Sequence, residues 1–320
     1  MAAPTNTTTS INSVGVREDL SNLIFRVAAD STPFISNIGR SKASNTYHEW
    51  QVESLADPDA DNAQLEGDDV GTLNTPNLTE RVGNRTQIFT KTGGVSGTAE
   101  AVDMAGRASE MARQKLLKGK EAMRDLEKRA INDLASQNQS GSNPRKSGGA
   151  VAWITSNVSR GAGGSNGGFS GGTVAASTPG TQRAFTEDQL KAVMASAFNN
   201  GASPSQVYMS AFHKQAFSAM TGIADIRADA SGKKPATLYG AADFYVSDFG
   251  VLAAIPHPYA LGRDVLFVDP DYMALATLRP WKSNPLAKTG DNERFQLVGE
   301  FTLEVKNQKA HGLVADLTSS

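Results

Sequence analysis

Small and apolar residues recur every three or four positions between residues 101 and 138, and this spacing predicts one long amphipathic helix. The stripe comprises Ala105, Ala108, Ala112, Leu116, Gly119, Met123, Leu126, Ala130 and Leu134. Either Thr98 or Asp103 would be the N-cap, and the sequence Ser-Gly-Ser-Asn-Pro from residue 140 would end the helix. The predicted rod, on the order of 50 Å long, exceeds what a compact core needs and favours an extended subunit.

The chain before this helix contains short apolar segments and one long polar stretch. Residues 1–16 predict an extended arm, and the apolar stripe in 16–29 predicts a short helix. Alternating residues in 46–55 and 85–98 predict two strands. The polar and acidic stretch 56–79 between these two strands predicts a protruding, hairpin-like loop. Loops of this length are uncommon in compact domains and are usually functional. Its acidic tip and basic stem suit docking on a complementary neighbour, although a merely solvated loop explains the same pattern.

The chain after the long helix combines a glycine-rich segment with mixed helices and strands. Residues 139–182 predict an irregular insertion with a short strand at 151–154. A capping box at 186–189 predicts a helix that ends at Asn200-Gly201. The later predictions are a helix at 211–220 and strands at 207–209, 244–247, 251–255, 265–268, 273–278 and 294–306. This mixed order predicts an α+β fold.

Composition excludes several classes of protein. The 320 residues contain 31 basic and 33 acidic side chains, a balance that does not indicate nucleic-acid binding by the whole chain. The sequence contains no apolar run long enough to span a membrane, and its first residues do not resemble a signal peptide. The absence of cysteine excludes disulfides and thiolate metal sites, so packing and subunit association must supply stability.

Two stretches match the pattern Gly-x-Ser-x-Gly, 163–167 around Ser165 and 168–172 around Ser170. A nucleophile elbow needs a buried strand before the serine and a helix after it, and glycine-rich sequence predicts neither. No catalytic residue is therefore predicted. The histidines also share no metal-ligand spacing and are expected to be structural or surface residues: His48, His213, His257 and His311.

Three alternating aspartates in the polar loop, Asp57, Asp59 and Asp61, begin like a calcium-binding loop. Asn62 stands where that loop has glycine, and Asp68 stands where it has glutamate. A weak cation site and a solvated acidic tip both remain open, and the pattern favours the solvated tip.

Several further stretches have a recognisable sequence character, at 32–39, 48–50, 86–90, 95–98, 269–272 and 304–312. Together with the order of arm, protruding loop, long helix, central α/β region and C-terminal strand, they resemble the major capsid proteins of tailed bacteriophages with the Hong Kong 97-like fold. The resemblance covers nearly the whole chain, and the glycine-rich segment 141–182 is a departure from the family pattern.

The resemblance implies an α+β, Hong Kong 97-like capsid fold with five regions. These are an N-arm (1–45), an extended β-hairpin loop (46–98), a long spine helix and peripheral domain with the Gly/Ser-rich insertion (99–182), an axial domain (183–290) and a C-terminal strand returning to the peripheral domain (291–320).

The function implied by the resemblance is structural, with no catalysis and no cofactor or metal. Copies of the chain would self-assemble into pentamers and hexamers of an icosahedral head shell around double-stranded phage DNA, which the inner face contacts without sequence specificity. Portal, scaffolding and decoration proteins are further expected partners, and no membrane is expected. The protein would reside in the virion after assembly in the host cytoplasm. The candidates for inter-subunit contact are Asp57, Asp59, Asp61, Glu66, Asp68, Asp69, Arg81 and Arg85.

Two expectations concern assembly chemistry. Some proteins of this fold join subunits by a lysine–asparagine isopeptide bond, but residues 46–90 contain no lysine, so no such bond is expected here. Scaffolding is expected to be a separate protein, because no long N-terminal scaffolding segment is recognisable. The alternatives to a phage capsid protein are an encapsulin-like shell protein, which shares the fold, and a soluble hydrolase or binding module.

Overall fold

The computed structural model describes residues 29–220, except 68, 70, 72 and 74, together with residues 244–319. These residues form an α+β fold, as the sequence predicts. The helices are α1 (Pro33–Asn37), α2 (Gly97–Ala101), α3 (Glu110–Ile131), α4 (Ala150–Trp153), α5 (Glu187–Asn199) and α6 (Ala211–Ser218). The strands are β1 (Gly39–Lys42), β2 (Tyr47–Val52), β3 (Glu80–Arg85), β4 (Gln87–Ser96), β5 (Val158–Ser159), β6 (Gly168–Ser170), β7 (Thr173–Ala175), β8 (Gln206–Met209), β9 (Phe244–Ser247), β10 (Gly250–Pro256), β11 (Val265–Val268), β12 (Met273–Leu286), β13 (Asn292–Val305) and β14 (Gly312–Val314). The helix predicted at 16–29 lies outside the described residues, apart from Ala29.

One main sheet has four strands in the order β1-β12-β13-β4. Strand β13 is antiparallel to both β12 and β4, whereas β1 is parallel to β12. Phe295, Phe301, Leu303 and Val305 of β13 are buried on one face of the sheet, as their alternation predicts. Helix α3 lies against β4, and the Lys91 ammonium bonds the Asp125 carboxylate at 2.6 Å across this contact.

The other main sheet has six strands in the order β5-β14-β11-β8-β10-β9. The capping box predicted for α5 is present, with Thr186 and Gln189 bonding each other's backbone. Leu190, Val193 and Met194 on the buried face of α5 belong to the hydrophobic core that covers this sheet. The strands and helices predicted between 186 and 268 are thus confirmed, with ends shifted by a few residues.

The prediction of one helix over 101–138 is wrong, because the chain forms two helices that are separated by a turn. Gly106 adopts a φ of 76°, a left-handed conformation that interrupts a right-handed helix. Ser109 is the N-cap of α3 in place of the predicted Thr98 or Asp103, and Glu100 accepts hydrogen bonds from the first amides of α3. The helix ends at Ile131, because Asn132 is extended and its amide caps the Lys128 carbonyl. Its 22 residues span about 33 Å.

The strand predicted at 151–154 is also wrong. Residues 150–153 form the single helical turn α4, and all four side chains are buried. A strand in a half-buried sheet alternates inward and outward side chains, whereas this segment is enclosed on every side. The short strands of the insertion lie elsewhere, in the β6–β7 hairpin and in β5.

The two main sheets do not follow the predicted limits 183–290 and 291–320. Strand β12 lies within the first range but pairs with β13 in the four-stranded sheet, because the two strands form a hairpin. Strand β14 lies within the second range but pairs with β11 in the six-stranded sheet. The names peripheral and axial for these regions stay predictions.

Candidate functional site

The predicted protruding loop rises from a stem of two antiparallel strands, β2 and β3. Tyr47 lies opposite Arg85 at the body end, and Val52 lies opposite Glu80 at the outer end. In its described part, the chain between these strands forms no helix or strand. The Asn77 amide donates to the Ser54 carbonyl at 3.0 Å and links the two limbs just beyond the stem. The arrangement is the hairpin-like loop that the sequence predicts.

Four leucines of the loop are almost fully exposed. Leu55, Leu65, Leu73 and Leu78 expose 93%, 79%, 83% and 85% of their surface, more than any other large apolar side chain in the described part of the chain. Single exposed leucines are ordinary, but a series along one projecting segment is typical of a surface that another molecule covers. The prediction from charge did not include these residues.

The predicted acidic contact residues lie along the same loop. Asp57, Asp59, Asp61, Glu66 and Asp69 are exposed, and Asp68 lies outside the described residues. The Asp59 carboxylate accepts a hydrogen bond from the Asp61 amide at 2.9 Å, which bends the chain locally. No group of three metal-binding side chains is present among the described residues.

The two predicted basic residues contact their own stem. The Arg81 guanidinium bonds the Glu49 carboxylate of the facing strand at 3.0 Å, although its side chain stays 71% exposed. The Arg85 guanidinium lies 4.3 Å from the centre of the Tyr47 ring, which is a cation–π contact. Both arginines therefore stabilise the stem whether or not they also contact another subunit.

Asn84, at the body end of β3, joins the stem to the rest of the fold. It is fully buried, and its amide donates to the carbonyl oxygens of Gly148 at 3.1 Å and Leu303 at 2.8 Å. Its carbonyl oxygen accepts from the Gly148 amide at 2.8 Å. One side chain thus satisfies backbone groups from both the insertion and β13, which positions the loop on the body.

A second connection joins the stem and β4 to β13 through two carboxylates, the buried Glu300 and the half-buried Glu304. Glu300 accepts hydrogen bonds from Thr86 at 2.7 Å, Arg145 at 2.6 Å and Arg279 at 2.9 Å. Burial raises the pKa of the Glu300 carboxyl, but these bonds outweigh it and hold the pKa below its ordinary value. The hydrogen bond from His48 of β2 likewise lowers the pKa of Glu304.

The start of α1 is held against α3 by a buried glutamate. Glu127 is fully buried and accepts hydrogen bonds from the amides of Phe34 at 2.7 Å and Ile35 at 2.8 Å. His257 completes the contact, with its Nε2 3.1 Å from the Glu127 carboxylate. Asp30 adds an ion pair with Lys120 at 2.6 Å. Residues 30–35, in the last part of the predicted N-arm (1–45), are thus fixed to α3.

The serine patterns do not form a nucleophile elbow. Ser165 makes an isolated β-bridge with Thr178, and Ser170 ends β6 before the tight turn that leads to β7. Neither serine is followed by a helix, which an elbow requires. No described helix is long and apolar enough to cross a membrane.

Comparison with known proteins identifies related sequences. The family profile described as SU10 major capsid protein matches residues 3–318. A curated major capsid protein of Escherichia phage Phieco32 is 35% identical over 116 residues, which cover 36% of this chain and 32% of that protein. The chain thus matches about a third of the length of this curated relative.

Solved structures show the same fold at low sequence identity. The capsid asymmetric unit of cyanophage A-1(L) has a TM-score of 0.62 at 9% identity, over 97% of this chain and 100% of that chain. A chain from Gordonia phage Cozz has a TM-score of 0.59 at 10% identity, over 99% and 98% of the two chains. A capsid chain of a native GTA particle has a TM-score of 0.58 at 13% identity, over 97% and 98%. The predicted Hong Kong 97-like capsid fold is therefore confirmed.

Proposed function

The chain belongs to the SU10 major capsid protein family, and from this premise we propose that its copies assemble into pentamers and hexamers of an icosahedral phage head shell around double-stranded DNA. The role is structural, and its place is the virion, after assembly in the host cytoplasm. Within the subunit, residues 1–45 act as an arm that ties neighbours together, and residues 183–290 include the part that faces the capsomer axis.

The observation that carries this proposal is the projecting loop with its exposed leucines. An isolated subunit would leave all four in water, whereas a neighbour that covers them removes about 25 cal/mol of unfavourable free energy per Å² of apolar surface. The acidic residues beside them add charge complementarity to a basic partner surface. Capsid assembly supplies such a partner at every loop, because every subunit is surrounded by others.

The experiment compares the full chain with a variant in which Leu55, Leu65, Leu73 and Leu78 are replaced by serine. Negative-stain electron microscopy and solution mass should show closed shells or rings of five and six subunits for the full chain. The variant should keep the same circular dichroism spectrum, because these side chains are exposed within the subunit. It should stay monomeric, because the apolar contact with a neighbouring subunit is lost. A stable monomer or dimer of the unmodified chain would overturn the proposal.

The control replaces Val102 and Leu116, which are exposed by 55% and 58% outside the loop, by serine. This control should still assemble. If it does not, assembly does not depend specifically on the leucines of the loop. Nuclease-protected DNA in particles from infected cells distinguishes a phage head from an encapsulin-like shell. The same particles should migrate as single subunits on a denaturing gel, since the loop and its stem offer no lysine for an isopeptide bond.

Portal, scaffolding and decoration proteins complete the proposed set of partners. They would be separate chains, and DNA would contact the inner face without sequence specificity. The nearly balanced charge of the chain supports weak DNA contact, since tight phosphate binding needs concentrated lysine and arginine.

A further inference from the structure

A cleft of about 350 Å³ lies where the stem of the loop meets the body of the fold. Val52 and Val82 line it from the stem, and Trp153 and Phe169 line it from the insertion. The rings of Trp153 and Phe169 are stacked, with centroids 5.5 Å apart, and form a flat apolar wall. The cleft is large enough for one or two apolar side chains of an extended peptide.

Trp153, which lines this cleft, is almost fully buried and includes a hydrogen-bond donor without an acceptor among the described residues. Trp153 is only 3% exposed, and its indole Nε1 has no acceptor in the described part of the chain. A buried donor without an acceptor is unfavourable, because it has lost its bond to water. The Nε1 atom is closed to water, so what Trp153 and Phe169 offer an occupant of the cleft is an apolar surface that suits an apolar side chain.

The charges at the rim of the cleft select among the exposed leucines. Glu53, Glu80 and Lys309 line the cleft, so its charged groups sum to one negative charge, which disfavours an acidic peptide there. Leu65 is followed directly by Glu66, in the acidic part of the loop. Leu73 lies in the stretch 71–77, which has no charged side chain and is therefore compatible with the rim.

We propose that the cleft of one subunit binds Leu73 from the extended loop of a second copy of the chain. This inference rests on the proposed assembly and names the place where the loop docks. Leu73 is seven residues from Glu80 in the sequence, so an extended chain lets it reach about 23 Å beyond the stem. Because loop and cleft are different surfaces, the contact is head-to-tail and can close into a ring.

The test uses the absence of cysteine in the native chain. The double variant Leu73→Cys with Lys309→Cys places one thiol on the loop and one on the exposed rim of the cleft. Assembled particles of this variant are oxidised and run on a non-reducing denaturing gel. The matched control is Leu65→Cys with Lys309→Cys, which moves the loop thiol to the acidic part. Electron microscopy first establishes that both variants form shells.

The expected result is a ladder of disulfide-linked subunits for the Leu73 variant. Its linked fraction should exceed that of the control about tenfold, because thiols held in contact have a millimolar local concentration. Equal ladders, no ladder, or a disulfide closed within one subunit would each overturn the proposed docking while leaving shell assembly intact. Absence of shells from the unmodified chain would instead contradict the proposed function itself.

Discussion

Two polar, irregular stretches of this chain have opposite structural roles. One is the loop at 53–79, and the other is the part of the insertion at 155–182. The insertion is packed into the fold. The buried Asp316 carboxylate accepts hydrogen bonds from the amides of Gly161 at 3.1 Å and Gly180 at 2.8 Å. A side chain at Gly161 would collide with the Thr181 carbonyl, so the glycine serves close backbone packing.

The described part of the loop shows a different pattern. The described hydrogen bonds beyond its stem are local, such as those of Asp61 with Asp59 and Asn77 with Ser54. Its leucines point into solvent, whereas Phe169 of the insertion stacks on the buried Trp153. The comparison shows that polar and glycine-rich composition does not identify a projecting segment. Hydrogen bonds to a residue distant in the sequence fix the insertion in the fold. The exposed apolar side chains of the loop are instead available to a partner outside the subunit.

Among substitutions that test this contrast, Asp316→Ala is expected to have the largest effect on the free energy of unfolding. The substitution leaves Arg160 and Arg263, 3.8 and 3.9 Å away, without their buried counter-charge and frees two glycine amides. Loss of one partner of a buried ion pair costs about 3–5 kcal/mol. Urea unfolding of the monomeric four-leucine serine variant, followed by circular dichroism, measures the change.

The matched control for Asp316→Ala is Asp57→Ala in the exposed loop. It should alter the free energy of unfolding by less than about 0.5 kcal/mol, as exposed substitutions usually do. Similar losses in both variants would mean that the loop is packed as tightly as the insertion, and the contrast would fail.

A smaller effect is expected from Asp264→Asn, close to the aspartate that holds the insertion. Burial, with a smaller contribution from the nearby Asp133, raises the pKa of the Asp264 carboxyl from 3.8 to about 6. Because the pKa is higher in the folded state, folding takes up a proton, and stability falls as pH rises from about 4 to about 6. The asparagine variant should match the parent below pH 4 and exceed it by up to about 3 kcal/mol above pH 6. Urea midpoints measured across this range test the prediction, and a constant difference at every pH would contradict it.

Strong local patterns were sufficient to predict much of the fold. The capping box predicted the start of α5, and the alternation of apolar residues predicted β13 and its buried face. The long helix was overextended, because the small residues near Gly106 continue the stripe while the backbone there turns left-handed. A stripe of small residues carries no information on φ, and the N-cap at Ser109 competes with equally suitable residues nearby.

The candidate site was predicted less completely than the fold. Charge identified the acidic loop and the stem arginines, whose contact with a neighbour stays a prediction. Asn84 and Glu127 were missed because their partners are distant in the sequence, Leu303 for one and Phe34 for the other. The exposed leucines had a visible signal, since four large apolar residues in an otherwise polar loop have no periodicity that would bury them.

The smallest effect on the subunit is expected from shortening the loop itself. The register of the stem, continued outward, places Leu55 opposite Asn77, so an Asn-Gly turn in place of residues 56–76 would close a regular hairpin. Shortening the loop to roughly a third of its length lowers its closure entropy, and the isolated subunit should gain about 1 kcal/mol. The same deletion should abolish shell assembly, because two of the four exposed leucines, Leu65 and Leu73, are removed with it. Removing the equally long segment 160–180 from the insertion should instead prevent folding, since Asp316 would lose both of its amide donors. A shortened loop that destabilises the isolated subunit by more than about 2 kcal/mol would contradict the contrast, because such a loss requires packing within the subunit that a projecting segment does not make.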